Sequence, residues 1–416
     1  MNILLINHYA GSPEMGMEYR PYYMAQQWIK AGHDVTIIAS TESHIRKKNP
    51  TIQYDFEEEL IDGIRYVWVK TPKYDGNGKK RAWNMIRFTM KLWFNALRVS
   101  QTYKPDVVIA SSTFTTDNYP ALKIAKISNA QYYYEVHDLW PLSPMELGGM
   151  SATHPFIKIM QAGEDYAYKY CDKVISMLPH TQEHMKEHGL DMAKWRYVPN
   201  GICLQEWSSA DAIPEGILNQ IQDLKKQGKR FIAYAGTLGL ANALDNLVEA
   251  AKLVKNKDAY FMIFGIGPEE EHLKELIKKE GLNNVTLMGS VPKTVIPTLL
   301  SEMDILYIGL QRQSLFRFGI SPNKLIDYMM SSKPIIQSID AGNDMVSEAQ
   351  CGISVEPENA QAVADAVDNL LQKNNAELQK MGANGHQFAM QHHTYEKLAE
   401  QFLEIMQPFD ELRDRH

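Results

Sequence analysis

Short apolar runs alternate with longer amphipathic stretches along almost the whole chain. In the first half, these runs predict strands at Asn2–Asn7, Asp34–Ala39, Arg65–Lys70, Asp106–Ala110, Gln131–Val136 and Lys173–Met177. In the second half, they predict strands at Phe231–Ala235, Ala259–Phe264, Asn284–Met288, Asp304–Ile308, Pro334–Ser338 and Gly352–Val355. Between most of them lie stretches with helical periodicity, such as Tyr22–Ala31, Ala243–Val254 and Pro268–Glu280. Such an alternation indicates βαβ units and parallel sheets.

The pattern restarts once, after Val198–Ile202 and the polar segment Gln205–Lys229. A chain of 416 residues is also too long for one ordinary core. We therefore predict an α/β protein with two Rossmann-like, doubly wound domains, residues 1–200 and 201–394, followed by a last segment, 395–416. Two such domains facing each other leave a central cleft at the carboxyl ends of both sheets, where ligands bind in these folds.

Composition excludes several classes of protein. The net charge of −7 argues against general nucleic-acid binding. The cysteines Cys171, Cys203 and Cys351 are widely spaced and form no C-x-x-C, which fits a reducing cytoplasm and gives no metal site. The chain begins directly with a strand and contains no run of eighteen apolar residues, so we expect neither a signal peptide nor a membrane span.

The most informative stretch is the loop and helix around Lys324. A Gly319-Ile320-Ser321-Pro-Asn loop opens a predicted helix, with Lys324 in its first turn and Asp327 three residues later. The N-terminus of a helix presents free backbone N–H groups and a partial positive charge, which favours phosphate. A carboxylate one turn further can accept two hydrogen bonds from a ribose diol. This spacing predicts a nucleoside diphosphate held by one helix.

In each half of the chain, a loop that contains glycines follows the first predicted strand. Gly11 and Gly16 lie in the first loop, where Glu18 and Arg20 are candidates for contact with a sugar. Gly236-Thr-Leu-Gly239 lies in the second loop, and its glycines permit close approach of a phosphate. Neither loop has the G-x-G-x-x-G spacing, which disfavours a dinucleotide.

Histidines occur in two contexts. His137 and Asp138 end a predicted strand, a position that favours a site at the edge of the sheet. His180, His184 and His188 are spaced four apart on a predicted helix, and we expect a solvated face there because no acidic cluster in the sequence completes a metal shell. The chain also lacks Asp-x-Asp, the usual pair for a metal clamped on a nucleoside diphosphate.

The segment 79–98 is basic and aromatic. Between Asp75 and Asp106 there are seven Lys or Arg residues and no acid. On a helical wheel, one face collects Trp83, Ile86, Met90, Trp93, Phe94 and Leu97, and it is flanked by Lys80, Arg87, Lys91 and Arg98. Two interpretations stay open: a helix that packs on the core, and an interfacial anchor on an anionic leaflet.

Taken together, these residues resemble the family 4 glycosyltransferases of the GT-B fold, which retain the anomeric configuration of the transferred sugar. The shared motifs are the first glycine loop, Trp28–Ile37, His137-Asp138, Asp172–Ile175, Pro199–Gly201, Gly236-Thr237, Gly265–Gly267, Gly289–Val291 and the helix at Asp327. The opening HYAGSPEMGMEYRPYY and the SPNKLIDYM helix resemble bacterial enzymes that add an N-acetylated amino sugar or deoxyhexose, such as L-fucosamine, to O-antigen or capsule.

The resemblance implies roles for particular residues. Asp327 would bind the ribose hydroxyls, His137 would contact the transferred sugar with Glu18 as a second catalytic candidate, and backbone groups of Gly289 and Val291 would hold the base. The candidate nucleotide-sugar-binding residues are Gly16, Gly236, Thr237, Asn242, Gly289, Val291, Arg317, Gly319, Ile320, Ser321, Lys324 and Asp327. The last helix, roughly Tyr395–Leu412, would cross back to the first domain as in relatives.

The chain departs from the family pattern at three positions. Gly319 stands where the family has the first Glu of its E-x7-E motif, and Thr237 and Asn242 stand where it has the Arg and Lys that bind the diphosphate. The leaving diphosphate still needs a cation. Lys324 is the best substitute and Arg317 the next.

The resulting expectation is a metal-independent retaining transferase without a cofactor. It would move a sugar from a UDP-sugar to a polyprenyl-diphosphate-linked saccharide acceptor at the inner face of the cytoplasmic membrane, in surface polysaccharide biosynthesis. Two alternatives stay open: a UDP-sugar 2-epimerase, which shares the GT-B fold, and an inactive scaffold that binds a nucleotide sugar.

Overall fold

The computed structural model describes residues 1–16, 19–76 and 78–406. The chain folds into two compact units. The first domain contains Met1–Asn200 and the helix that begins at Tyr395, and the second domain contains Gly201–Thr394.

A mixed sheet of eight strands forms the centre of the first domain. Its strands are β1 (Asn2–Ile6), β2 (Asp34–Ser40), β3 (Glu57–Ile61), β4 (Ile64–Val69), β5 (Val107–Ala110), β6 (Gln131–Val136), β7 (Lys173–Ser176) and β8 (Trp195–Tyr197). Their order is β3-β4-β2-β1-β5-β6-β7-β8, and every pair is parallel except β3 with β4. The helices are α1 (Tyr19–Lys30), α2 (Lys79–Phe94), α3 (Ala96–Tyr103), α4 (Asn118–Ser128), α5 (Leu142–Glu146), α6 (Pro155–Tyr170) and α7 (Gln182–Glu187).

The sequence pattern missed β3 and β8, and both lie at the edges of this sheet. An edge strand buries little apolar surface, so the hydrophobic signal that marks central strands is weak there. β3 has the sequence EEELI and is mostly exposed, and β8 has only three residues. The turn from β3 to β4 uses Asp62 and Gly63, both with positive φ, as a tight hairpin requires.

The second domain has a smaller, fully parallel sheet. Its strands are β9 (Arg230–Ala235), β10 (Ala259–Phe264), β11 (Val285–Gly289), β12 (Ile305–Gly309), β13 (Ile335–Ser338) and β14 (Gly352–Val355). The order is β11-β10-β9-β12-β13-β14, which reverses between β9 and β12. The helices are α8 (Leu204–Ser208), α9 (Glu215–Lys226), α10 (Leu244–Leu253), α11 (Glu270–Lys279), α12 (Ile296–Ser301), α13 (Asn323–Met330), α14 (Met345–Glu348), α15 (Ala360–Gln372) and α16 (Asn375–His392).

Both faces of this second sheet are covered by apolar side chains. Phe231 and Ala233 of β9 belong to one buried cluster, whereas Ile232 and Tyr234 belong to another. Because successive residues of a strand point to opposite faces, the sheet has a core on each side. The prediction of two doubly wound, Rossmann-like domains is thereby confirmed.

The last described helix, α17 (Tyr395–Met406), lies on the first domain. It packs against α1, where the rings of Trp28 and Phe402 have centroids 5.2 Å apart and those of Tyr23 and Tyr395 are 4.9 Å apart. The remainder of the predicted helix, up to Leu412, falls outside the described residues. Within the described part of the chain, no helix has the length and apolar character needed to cross a membrane.

Candidate active site

In the second domain, a rigid turn introduces helix α13. Gly319 follows a 3₁₀ turn, Ser314–Phe318, and has a φ of +93°, a conformation that favours glycine. The Asn343 amide accepts from the backbone N–H of Ile320 at 2.8 Å and donates to its carbonyl oxygen at 3.1 Å. These bonds fix the segment that leads into α13 at Asn323, one residue before Lys324.

The side chain of Lys324 reaches the carboxyl end of β9. Its Nζ donates to the hydroxyl of Tyr234 at 2.7 Å and to Oδ1 of Asn242 at 3.1 Å, and it lies 4.1 Å from the centre of the Tyr234 ring. Burial lowers the pKa of Lys324 to about 7, because water no longer stabilises the ammonium ion. The ammonium group of Lys324 therefore lies next to Asn242, the position at which the family resemblance leads one to expect a lysine.

Glycines in the neighbouring loops make room for this arrangement. A Cβ atom on Gly236 would lie 2.6 Å from Cε of Lys324, so the missing side chain accommodates the lysine. A Cβ on Gly265 would lie 1.8 Å from the carbonyl oxygen of Gly236, and one on Gly267 would lie 2.2 Å from that of Leu238. The loops after β9 and β10 thus pack backbone against backbone, which gives these two glycines a role in chain geometry.

Asp327 lies on α13 three residues after Lys324. No described residue donates a hydrogen bond to its carboxylate, which distinguishes it from the other acids of this region. Burial raises the pKa of Asp327 to about 7, the charge of Lys293 lowers it, and that of Glu206 raises it. A carboxylate in this position has acceptor atoms available to a ligand.

The other predicted donor residues have local roles of different kinds. The carbonyl oxygen of Thr237 accepts from Tyr234 at 2.7 Å and from Asn242 at 3.1 Å, which closes the loop around the lysine. Gly289 ends β11 with a φ of +73°, and its carbonyl oxygen accepts from Gly265 at 2.8 Å. Ser321 is half-buried in the loop before α13, and Val291 is half-buried against the core.

Arg317, the second candidate for a diphosphate cation, is exposed. Its guanidinium lies 4.2 Å from the centre of the Phe318 ring and donates to the carbonyl oxygen of Ser314 at 2.7 Å. It contacts its own turn, whereas Lys324 contacts the end of a central strand. Of the two, Lys324 is the one whose ammonium group lies beside the loop after β9.

In the first domain, His137 follows β6 and joins a buried polar network. Its Nε2 lies 2.9 Å from the hydroxyl of Ser111 and 3.4 Å from Oε2 of Glu135. Ser111 donates to the same carboxylate oxygen at 2.6 Å, and its own carbonyl oxygen accepts from Asn7 at 2.9 Å. Residues at the ends of β1, β5 and β6 meet here, at the point where the strand order reverses and ligands bind in open α/β sheets.

Arg20 completes this network, and the predicted contact of Arg20 with a sugar is wrong. Its guanidinium is buried, lies 3.0 Å from Glu135, and donates to the carbonyl oxygens of Val198, at 3.0 Å, and Pro199. Burial raises the pKa of Glu135, but the charge of Arg20 and the hydrogen bonds from His137 and Ser111 lower it to about 2. Arg20 thus holds an ionised Glu135 next to His137.

The remaining first-domain predictions lie in the loop after β1. Gly16 has a φ of +93°, and its Cβ would lie 2.9 Å from Cγ of Lys47, so the turn itself requires a glycine. Glu18, the second catalytic candidate, lies outside the described residues.

The predicted solvated face at His180, His184 and His188 is wrong for the last two. His184 and His188 contact carboxylates of α6, whereas His180 is exposed. Glu164 and Asp165 of α6 therefore supply the acidic partners that the sequence around the histidines does not contain.

Sequence reasoning did not single out Ser111, Glu135 or Tyr234. One signal was present: Glu135 is the single acid in β6, whose neighbouring residues are aromatic or aliphatic. A charged residue in a buried strand needs a partner, which marks it for inspection. Ser111 and Tyr234 carry no comparable signal, because serine and tyrosine are ordinary in strands and loops.

Comparison with known proteins agrees with this division of the chain into two domains. Residues 15–206 match the family model described as Glycosyltransferase Family 4, and residues 218–388 match that described as Glycosyl transferases group 1. The chain is 21% identical over 282 residues to the probable glycosyltransferase WbjE of Pseudomonas aeruginosa, covering 67% of this chain and 69% of WbjE.

Two further proteins show the same likeness over more of the chain. The putative colanic acid biosynthesis glycosyl transferase WcaI of Escherichia coli (strain K12) is 24% identical over 357 residues, which cover 83% of this chain and 86% of WcaI. The structure of Alr3699/HepE from Anabaena in complex with UDP and glucose is 14% identical and aligns with a TM-score of 0.64 over 97% of this chain and 98% of its own. The matched models and relatives, together with the two Rossmann-like domains, identify this chain as a glycosyltransferase of the GT-B fold.

Proposed function

We propose that this glycosyltransferase transfers a sugar from a UDP-sugar to a lipid-linked saccharide, with retention of the anomeric configuration and without a metal at the diphosphate. The observation that carries the proposal is the placement of Lys324 and Asp327. One helix brings an ammonium group to the end of β9 and an available carboxylate one turn further. These two groups match the charge of a diphosphate and the hydroxyls of a ribose.

The chemistry follows from the charge that develops on the leaving group. As the bond to the sugar breaks, negative charge accumulates on the diphosphate, and an adjacent ammonium ion stabilises the transition state more than the ground state. Lys324 in its protonated form supplies this charge. The free N–H groups of the first turn of α13 add a partial positive charge in the same direction.

UDP is the proposed nucleotide because of the relatives. The HepE structure contains UDP, and its chain matches almost all of this one. For the sugar, the resemblance to bacterial surface-polysaccharide enzymes favours an N-acetylated amino sugar or a deoxyhexose. WcaI is named for colanic acid biosynthesis, which supports the same kind of pathway.

His137 is the proposed contact to the transferred sugar. The hydroxyl of Ser111 and the carboxylate of Glu135 hold its Nε2 at the end of β6. A side chain fixed in this way loses little rotational freedom when the substrate binds, which favours its contribution to turnover. Glu18, the other catalytic candidate, stays a prediction.

A membrane surface is proposed as the place of reaction, because the apolar face predicted on segment 79–98 is exposed. Trp83 and Phe94 are 51% and 74% exposed, and Ile86, Met90, Trp93 and Leu97 are also exposed. The opposite face of α2 supplies the contacts to the core through Asn84, Met85, Phe88 and Leu92. Packing on the core therefore does not account for the aromatic face, and this favours docking on an anionic leaflet.

The charged residues around this face are not equivalent. Lys79 and Lys80 are exposed, and the guanidinium of Arg87 lies 5.8 Å from the centre of the Trp83 ring. Lys91 instead forms an ion pair with Asp55, and Arg98 lies over the ring of Phe56. A test of lipid binding should therefore change Lys79, Lys80 and Arg87 and leave the ion pair intact.

The decisive experiment for the reaction is incubation with UDP-sugars in the presence and absence of an acceptor. We expect transfer to a polyprenyl-diphosphate-linked saccharide extract, slow hydrolysis without acceptor, and product with the same anomeric configuration as the donor. Formation of an epimer from the UDP-sugar alone would support the 2-epimerase alternative. Binding of UDP without any turnover would support the scaffold.

A further inference from the structure

Helices α6 and α7 of the first domain bring two carboxylates close to two of the three histidines that are spaced four apart, His184 and His188. Glu164 and Asp165 lie on α6, and His184 lies on α7, one turn before His188 at the C-cap of that helix. The rings of the two histidines have centroids 4.6 Å apart. One ligand atom from each of Glu164, His184 and His188 lies within 4.8 Å of the others.

The separations between these atoms suit a coordinated cation. Nε2 of His184 lies 3.3 Å from Oε1 of Glu164, and Nδ1 of His188 lies 2.9 Å from Oδ1 of Asp165. In a tetrahedral zinc site with bonds of about 2.0–2.1 Å, neighbouring ligand atoms are about 3.3–3.4 Å apart. The histidine–carboxylate contacts are therefore already near ligand spacing.

A second observation comes from Gln161, whose amide nitrogen is surrounded by acceptors. It lies 2.8 Å from each of three atoms: Oε2 of Glu164, Oδ1 of Asp165 and Nδ1 of His188. An amide group has two hydrogens, so it cannot donate to all three at once. In addition, an Nδ1 that accepts from Gln161 cannot also donate to Asp165. The two amide hydrogens can serve Glu164 and Asp165 while an Nδ1–H of His188 donates to Asp165, and a cation in the same place would accept electron pairs from all three groups.

Burial decreases across the cluster from one side to the other. The side chain of Glu164 is 1% exposed, that of His184 is 10% exposed and that of His188 is 30% exposed. The hydroxyl of Tyr168 donates to Oε1 of Glu164 at 2.8 Å, which orients the buried carboxylate as outer partners do in metal sites. An ion would enter from the exposed side, at His188, and Glu164 would be the buried ligand at the opposite side of the site.

We propose that Glu164, His184 and His188 bind a divalent cation of the zinc class and that this cation ties α6 to α7. Asp165 lies next to His188 but outside this group of three, and it becomes the fourth ligand by a movement of its half-exposed side chain. Two imidazoles and two carboxylates favour Zn²⁺ over Mg²⁺ or Ca²⁺, which prefer oxygen ligands alone. Four protein ligands make the site structural, since a catalytic zinc keeps one position for water. The site belongs to the first domain and supplies nothing to the diphosphate chemistry assigned to Lys324.

The test is direct titration of the full chain with Zn²⁺ and Co²⁺ after treatment with EDTA and removal of any affinity tag. We expect one tight equivalent of Zn²⁺ by competition with a chromophoric chelator, a tetrahedral absorption spectrum with Co²⁺, and a rise in melting temperature on addition of Zn²⁺. His188→Gln and Asp165→Asn alter the more exposed ligands and should leave the fold intact. Each should weaken Zn²⁺ affinity by at least about tenfold.

His180→Gln is the matched control, because His180 precedes His184 by four residues but is not one of the three grouped residues Glu164, His184 and His188. It should bind Zn²⁺ like the wild type. Absence of a tight equivalent in the wild type, or equal losses in His180→Gln and His188→Gln, would overturn the proposed site. The transferase assay separates this outcome from the proposed function: loss of activity with EDTA that Mg²⁺ or Mn²⁺ restores would contradict metal-free transfer, whereas a melting temperature restored by Zn²⁺ supports the site.

Discussion

Replacing Lys324 by methionine tests the donor site most directly. Methionine keeps most of the apolar stem but removes the ammonium group that contacts Tyr234 and Asn242. A hydrogen bond that involves a charged group contributes about 1.5–3 kcal/mol, so we expect UDP-glucose to bind about 10- to 150-fold more weakly. Lys324→Arg keeps the charge and serves as the conservative comparison.

The pH dependence of binding gives a second measure of the same contact. Burial lowers the pKa of Lys324 to about 7, and a diphosphate beside it favours the protonated form. The complex then holds a proton that the free enzyme has lost, so affinity falls as pH rises above about 7. Lys324 then contributes an uptake of about 0.9 proton per UDP-glucose bound at pH 8 and about 0.1 proton at pH 6. Asp327, whose pKa burial raises to about 7, contributes a release of about 0.1 proton at pH 8 and about 0.9 proton at pH 6 when its ionised form binds the ribose.

Calorimetry in two buffers with different ionisation enthalpies measures this uptake. Lys324→Met should bind without proton uptake at pH 8, and Lys324→Arg should lose the fall in affinity above pH 7 while retaining more affinity. Equal UDP-glucose affinity in the wild type and in Lys324→Met, or a wild-type affinity that is constant between pH 6 and pH 9, would refute the assignment of Lys324 to the diphosphate.

A pair of glycines gives an independent check that leaves Lys324 unchanged. In Gly236→Ala, the new Cβ would lie 2.6 Å from Cε of Lys324 and displace the side chain. In Gly239→Ala, the nearest atom, Nδ2 of Asn242, is 3.7 Å away, which is an ordinary contact. Weaker binding in the first variant and unchanged binding in the second are expected from this geometry, and equal behaviour of the two would argue against it.

Three further predictions concern the ribose, the sugar and the membrane. Asp327→Ala should weaken UDP binding by about 1–3 kcal/mol in calorimetry, and unchanged affinity would count against a contact with the ribose. His137→Ala should lower kcat by roughly two decades with little change in UDP affinity, and the opposite pattern would assign His137 to nucleotide binding. Wild-type protein should sediment with anionic liposomes more than a Lys79→Gln, Lys80→Gln, Arg87→Gln variant, since each cation near the surface contributes about 1 kcal/mol. Equal sedimentation of both proteins would contradict membrane docking through this segment.

The proposed diphosphate cation differs from the family pattern in the element that carries it. Thr237 and Asn242 leave the loop after β9 without the Arg and Lys that the resemblance leads one to expect. In the structure, Asn242 accepts from Lys324 instead, so the charge is supplied from α13. If Lys324 is the diphosphate cation, as proposed, the charge stays near the end of β9 and only the element that carries it has changed.

The sequence by itself determined the architecture, because the fold depends on repeated local patterns. All twelve predicted strands are present, including β11 and β14, which lie at the edges of the second sheet and are half-buried. The two that were missed, β3 and β8, are edge strands with a weaker signal still: β3 is mostly exposed and begins with three glutamates, and β8 has only three residues. The position of α13 after a glycine turn was likewise evident, since loop and helix residues are adjacent in the chain.

Tertiary structure alone decided which side chains meet. The buried Arg20 and Glu135 are 115 residues apart, and Lys324 lies 90 residues from Tyr234. Glu164 and His184 belong to different helices, and their contact cannot be read from the sequence around the histidines, which predicts a solvated face. Periodicity reports which face of an element is buried, but it carries no information on which distant group occupies that interior. The chemistry of a site depends on those distant groups, and for that reason the network at His137 and the cation at β9 became visible only in the folded chain.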